Sequence, residues 1–325
     1  MTKIRIGIIG CAGIAQRMVI PAIKSLPNDF ELIAISSRTI EKARQFAQYF
    51  DTLPIEGYEN LLDRKDIDAI YMPLPTGLNQ EWIAKALEAG KHVIAEKSLA
   101  LNYEKAQQLV EFAKSKNLVL MEDFMFKYHQ QHQIVWENLQ NNTIGSLRLF
   151  RSQFCFPPLD EGNFRYNNNL GGGSLLDAGA YTVMASRWFL GSEQDVVSSV
   201  LHVDTDKNVD IYGNVTLQNK NGIVSQLSFG FDNFYQCNYE FLGSKGRIFA
   251  EKAFTPKPNE LTHVIMETQE EKRTTNIKQD NHFVNIFKEF HSSIIEHKQE
   301  SHYKDILDQS RILTKIKEMA IKIQL

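Results

Sequence analysis

Residues 4–15 read IRIGIIGCAGIA: an apolar run, then glycines and small residues, then the start of an amphipathic stretch. A short apolar strand that ends in a glycine turn and opens a helix is the sequence form of a dinucleotide-binding unit. The glycine turn lets backbone approach a pyrophosphate, and the helix that follows aims unbonded N–H groups at it. Counted from Gly10, Ala12 stands where the fingerprint has its middle glycine, Gly13 comes next, and Ala15 takes the helix-packing slot. Gly10, Cys11, Ala12, Gly13 and Ile14 are therefore the expected phosphate-cradling residues.

Outward from that stretch, ELIAIS (31–36), IDAIYM (67–72), KHVIAE (91–96) and LVLME (118–122) are also short and apolar throughout. Continuous apolarity suits parallel strands covered on both faces. Between them lie amphipathic runs. One ends at Gly90, a suitable C-cap, and one starts at Asn102, a suitable N-cap. The alternation predicts an α/β fold with a doubly wound parallel sheet over residues 1–122. Near residue 123 the pattern changes. SLRLFRSQFCF (146–156), a glycine-rich turn with an apolar helix (171–191) and several period-two segments follow, with an NKNG turn at 219–222. These predict an α+β domain over 123–325 with a largely antiparallel open sheet. Helices are expected near 281–297 and 302–322, packing back on the first domain.

The chain has 325 residues, a net charge of −3 and 43% hydrophobic residues. That balance offers no electrostatic reason for nucleic acid or an anionic membrane as partner. No apolar run reaches the roughly 18 residues of a membrane span. Cys11, Cys155 and Cys237 lack CxxC spacing, and the N-terminus lacks a long apolar signal region. A reduced cytoplasmic compartment is the expectation. His129 and His132 lie three apart, but no third ligand follows at a suitable spacing, so no metal site is expected.

The second strand ends in AISSRTIEKA (34–43). An NAD-binding chain usually places Asp or Glu there for the ribose 2′-hydroxyl. Ser37 and Arg38 instead suit a 2′-phosphate, through a hydroxyl and a guanidinium. NADP(H) is the expected cofactor.

AGKHVIAEKSLA (89–100) resembles the segment that marks the Gfo/Idh/MocA family of NAD(P)-dependent oxidoreductases, whose EKP tripeptide carries a lysine beside the nicotinamide. Glu96 and Lys97 match, and Ser98 replaces the proline. PLPTGLNQEWIAKALEAGKH (73–92) also resembles the family, with Asn79 where a histidine is often found. The resemblance implies cofactor contacts from Leu74, Pro75, Thr76, Asn79, Glu96 and Lys97. In GGGSLLDAGAYTVMASRWFLG (171–191) many members have Asp-x-x-x-His, whereas Asp177 is followed here by Tyr181. The tyrosine branch includes glucose–fructose oxidoreductase, dihydrodiol and aldose dehydrogenases, and nucleotide-sugar 3-ketoreductases. The stretches 10–23, 121–132, 164–181 and 240–258 are most similar to the last of these.

The resemblance implies hydride transfer between NADP(H) and a sugar carbinol or ketone, most in keeping with reduction of a keto group on a nucleotide-linked deoxysugar. It implies Lys97 polarising the carbonyl oxygen and Tyr181 supplying the proton. A tyrosine needs such a partner, because its reference pKa is about 10. Asp177, one helical turn from Tyr181, is expected to bind a substrate hydroxyl. His129 and Phe126 are expected near the substrate, and Arg165 near the cofactor or a substrate phosphate. The resemblance further implies a homo-oligomer formed through the C-terminal sheet. Oxidation of a free aldose or a cyclic diol is the alternative chemistry, and a non-catalytic cofactor-binding sensor is the alternative class.

Overall fold

β1 (Ile4–Ile9) buries every residue but Arg5, as a strand covered on both faces must. In the computed structural model, which describes residues 3–325, it joins a six-stranded parallel sheet. The other members are β2 (Phe30–Ser37), β3 (Leu53–Glu56), β4 (Ala69–Met72), β5 (His92–Glu96) and β6 (Leu120–Asp123), in the order β3-β2-β1-β4-β5-β6. The strand order reverses between β1 and β4, and such sheets take ligands at the carboxyl ends of strands around that point. β3 is absent from the strands expected on sequence. It has four residues, contains Pro54 and is half exposed, as an edge strand can be.

The connecting helices are α1 (Ile20–Lys24), α2 (Ile40–Gln48), α3 (Tyr58–Leu62), α4 (Thr76–Glu88) and α5 (Tyr103–Lys116). A π turn, Ala15–Val19, leads into α1. α5 begins where its cap residue allows: Asn102 accepts a hydrogen bond from Lys105 N at 3.0 Å. Gly90, just beyond α4, adopts the positive φ of a helix end.

After α6 (Gln130–Gln140) comes a mixed nine-stranded sheet. It contains β7 (Leu147–Cys155), β8 (Gln194–Asp204), β9 (Val209–Asn219), β10 (Val224–Gly230), β11 (Gln236–Gly243), β12 (Gly246–Ala250), β13 (Thr262–Thr268), β14 (Lys272–Ile277) and β15 (Ile321–Gln324). Their order is β14-β13-β12-β11-β7-β10-β9-β8-β15, antiparallel except at β7–β10 and β8–β15. In the β9–β10 turn, Asn219 Oδ1 accepts from Asn221 N at 3.0 Å and Ile223 N at 2.9 Å. That bonding explains the NKNG signal. α7 (Ala180–Leu190), preceded by a π turn at Leu175–Gly179, packs on β7 and β10.

β13, β14 and β15 are further strands that the sequence pattern does not mark. β14 is an edge strand with almost every side chain exposed, so no buried face imposes alternation. β15 takes the end of the run read as helix. Only four residues long and fully exposed, it offers too little pattern to tell the two periods apart.

The last helices are α8 (His282–Ile295) and α9 (Glu300–Met319). One compact unit comprises the residues up to Met125 together with Phe283–Leu307, and the other comprises Phe126–His282 with Asp308–Leu325. Within the first unit, Phe287 of α8 meets Phe30 and Tyr71 edge-on, at 5.8 Å and 5.9 Å between ring centres. Tyr303 of α9 donates its hydroxyl hydrogen to Leu118 O. Within the second unit, an aromatic core gathers Phe126, Phe150, Phe154, Tyr239, Phe241 and Phe254 under α7.

Candidate functional site

In the first unit the expected cofactor residues converge on the carboxyl ends of β1, β2, β4 and β5. Gly10 has φ +99, and a Cβ there would lie 2.9 Å from Leu74 Cδ2, so the turn requires glycine. Gly10 N donates to Ser36 O at 2.9 Å, tying the loop to β2. The helical turn at Ala15–Val19 has no acidic residue in its first turn and no side-chain cap, so no carboxylate opposes an anion at this helix start. Ser37 is buried at the end of β2 and Arg38 is exposed beside it. Cys11 Sγ lies 3.9 Å from Ser36 O and 3.8 Å from Lys42 O. These residues fit a dinucleotide with a 2′-phosphate: a glycine turn leads from β1 into a helix start, and no carboxylate stands at the end of β2.

Tyr58 was not singled out on sequence. Its hydroxyl lies 3.9 Å from the place a Gly10 Cβ would take. Burial pushes its phenol up, and the Arg38 charge pulls it partly back. No periodicity could mark this residue, because its role comes from the position of α3 against the loop.

At the end of β5 the backbone around Lys97 is held from two sides. Asn79 Nδ2 donates to Glu96 O at 3.4 Å and to Ser98 O at 3.2 Å, which brackets Lys97. Asn79 is fully buried, so these bonds are shielded from water. Leu99 N donates to Glu122 Oε1 at 2.7 Å. The Lys97–Ser98 peptide is cis. Tyr71 OH donates to Glu96 Oε1 at 2.8 Å, which orients that carboxylate. Leu74, Pro75 and Thr76 form the turn from β4 into α4, with Pro75 at the N-cap.

In the second unit Arg165 and Asp177 come together. Arg165 Nε donates to Asp177 Oδ2 at 2.6 Å, and both side chains are largely buried. Tyr181, one turn after Asp177, is 5% exposed and lies against the rings of Phe154, Phe254 and Phe126, at 5.0, 5.6 and 5.9 Å. The helix start that carries both residues is held by Asp210 of β9. Its Oδ2 accepts from Ser174 Oγ at 2.7 Å and Leu175 N at 2.6 Å. Asp210 has no sequence signal, because the contact spans a sheet strand and a distant helix start.

Phe126 is fully buried and meets His132, Trp188 and Phe254 edge-on, which gives it a packing role. His129 is the N-cap of α6, its Nδ1 accepting from Gln131 N at 3.2 Å. Its ring stands 5.7 Å from His282 and 6.4 Å from His132. Among the described residues no group of three or more His, Cys, Asp or Glu could hold a metal ion.

Burial pushes His132 and His282 below the ordinary imidazole value, His282 to about 3. Unfolded, both take a proton near about pH 6.5. Their contribution to stability is therefore complete above that pH and is lost as pH falls, since only the unfolded state gains protons. Tm measured between about pH 8 and pH 5 should decline toward acid, and His282→Gln should make the decline shallower.

The Gfo/Idh/MocA oxidoreductase family, described by its NAD-binding Rossmann fold, matches residues 4–124, and the GFO/IDH/MocA C-terminal domain matches 132–249. A dTDP-3,4-didehydro-2,6-dideoxy-alpha-D-glucose 3-reductase from Actinomadura kijaniata is 40% identical, over 91% of this chain and 90% of its own. The reductase of the same name from Streptomyces antibioticus is 35% identical over 98% and 97%. A 3-ketoreductase from Actinomadura kijaniata, solved with NADP and TDP-benzene, superposes with TM-score 0.97 at 38% identity over 100% of both chains. Variants of that reductase at one lysine and one tyrosine have also been solved.

Proposed function

The chain belongs to the Gfo/Idh/MocA oxidoreductase family, and from that premise we propose that it reduces the 3-keto group of a dTDP-linked deoxysugar with NADPH. The observation that carries this reading is the whole-length likeness to a 3-ketoreductase solved with NADP and TDP-benzene, at TM-score 0.97. The glycine turn at Gly10 and the Ser37–Arg38 pair support the cofactor half of it.

When bound, NADPH supplies the hydride. Ser37 and Arg38 hold the 2′-phosphate, and residues 10–14 with the helix start behind them hold the pyrophosphate. Lys97 donates a charged hydrogen bond to the substrate carbonyl oxygen, making its carbon more electrophilic. Tyr181 delivers its phenolic proton to that oxygen as the carbinol forms. Asp177, oriented by Arg165, accepts from a sugar hydroxyl. The lysine and tyrosine variants made in the relative support this pairing.

The test is NADPH oxidation, followed by absorbance, over dTDP-keto-deoxysugars, free aldoses and diols. Turnover with the dTDP-linked ketones is expected. Turnover with none would instead favour a cofactor-binding sensor. Replacing Arg38 by alanine should weaken NADPH by about tenfold to a hundredfold, one charge-assisted bond being worth about 1.5–3 kcal/mol. NADH should be almost unaffected in parallel titrations, and an equal loss for both would remove the 2′-phosphate role.

The unburied face of the nine-stranded sheet, with Val197 and Leu242 exposed, is the proposed homo-oligomer surface, and size in solution tests it. No helix among the described residues is long and apolar enough to cross a membrane. A cytoplasmic setting is proposed, in keeping with the free thiols of Cys11, Cys155 and Cys237.

A further inference from the structure

Asp123 ends β6 directly beside Glu96, its partner in the parallel ladder. Its side chain is fully buried, and its carboxylate oxygens make no well-formed hydrogen bond beyond a weak approach from the Met125 N–H. An ionised carboxylate in that position would lose its hydration and gain only that one weak donor in return. It would also set a second negative charge against Glu96. A neutral carboxylic acid avoids both costs.

The charged groups that face Asp123 are Glu96 and Lys97, at the end of β5. Tyr71 of β4 reaches the group through Glu96 Oε1. Glu122, the preceding residue on β6, is engaged with Leu99 N. We propose that Asp123 is a positioning residue for Lys97, kept as a neutral acid so that the ammonium faces one carboxylate and remains directed at the substrate oxygen. The proposal rests on the catalytic reading of Lys97 given above. Burial first and Glu96 second push the Asp123 carboxyl well above the usual carboxylate range. The Lys97 charge and the Met125 N–H offset only part of that.

If Asp123 ionised at high pH, two carboxylates would flank Lys97 and draw the ammonium away from the substrate. The alkaline limb of kcat is therefore expected to move to higher pH in Asp123→Asn, whose amide cannot ionise, with KM for NADPH retained. Superimposable alkaline limbs would overturn the proposal. So would a loss of turnover at every pH comparable with that of Lys97→Ala, because the negative charge would then be what the site needs. Difference infrared spectra between wild type and Asp123→Asn give a readout independent of turnover. A carboxylic-acid carbonyl band is expected at neutral pH in the wild type and absent from the variant. Failure of the functional reading is distinguishable: a wild type without turnover removes the role of Lys97 altogether, whereas turnover without the acid band removes this proposal alone.

Discussion

Lys97→Ala is expected to lower turnover by about 10²–10⁴-fold, the usual range for losing a group that acts on the reacting atoms, while NADPH still binds. The loss should fall on turnover because the residues proposed to hold the phosphates are elsewhere, at Gly10–Ile14 and Ser37–Arg38, while Lys97 is proposed to act on the substrate oxygen. The fold should tolerate the change, since Asn79 holds the backbone on both sides of Lys97 through main-chain carbonyls. Tyr181→Phe should produce a loss in the same range. Its ring keeps the same neighbours, Phe154, Phe254 and Phe126, so stability should stay close to wild type. The checks are NADPH titration by fluorescence, single-turnover rates and thermal melts. Near-normal rates in both variants would sink the mechanism.

Gly173→Ala is expected to destabilise the second unit by about 3 kcal/mol, combining backbone strain with a disrupted buried hydrogen bond. Gly173 has φ +114, a conformation that side chains rarely accept, and a Cβ there would overlap Asp210 Oδ1. Asp210 cannot swing aside freely, because Ser174 Oγ and Leu175 N both donate to its other oxygen. The strain falls at the start of the helical segment that carries Asp177 and Tyr181. Turnover should therefore drop even at temperatures where the variant stays folded. Chemical denaturation measures the first effect and steady-state rates the second. A change below about 1 kcal/mol would mean that the loop relaxes and Asp210 does not frame the helix.

Much of this site was legible because its signals are local. Glycine at 10 answers a demand of its own backbone, and the small residues at 11–13 and the serine–arginine pair at the end of β2 are patterns of neighbouring positions. The Asp177–Tyr181 spacing likewise needs only the period of a helix. Asn79 could be expected near the site from sequence but not as a clamp, since its partners lie 17 and 19 residues further along the chain. The sequence pattern points Arg165 and Asp177 at separate ligands, because their ion pair cannot be read from two isolated positions.

The sequence by itself determined the parallel sheet, its glycine loop, the antiparallel character of the second domain and the lysine at the end of β5. Burial on both faces, helical period and turn chemistry are short-range constraints written into consecutive residues. Tertiary structure alone decided the edge strands β3, β14 and β15, where no buried face enforces a pattern. It also decided the partners that hold the site: Tyr71 on Glu96, Asp210 on the α7 approach, and Asp123 beside Glu96. Each of those meetings depends on which strands lie side by side, and strand order is a property of the folded chain.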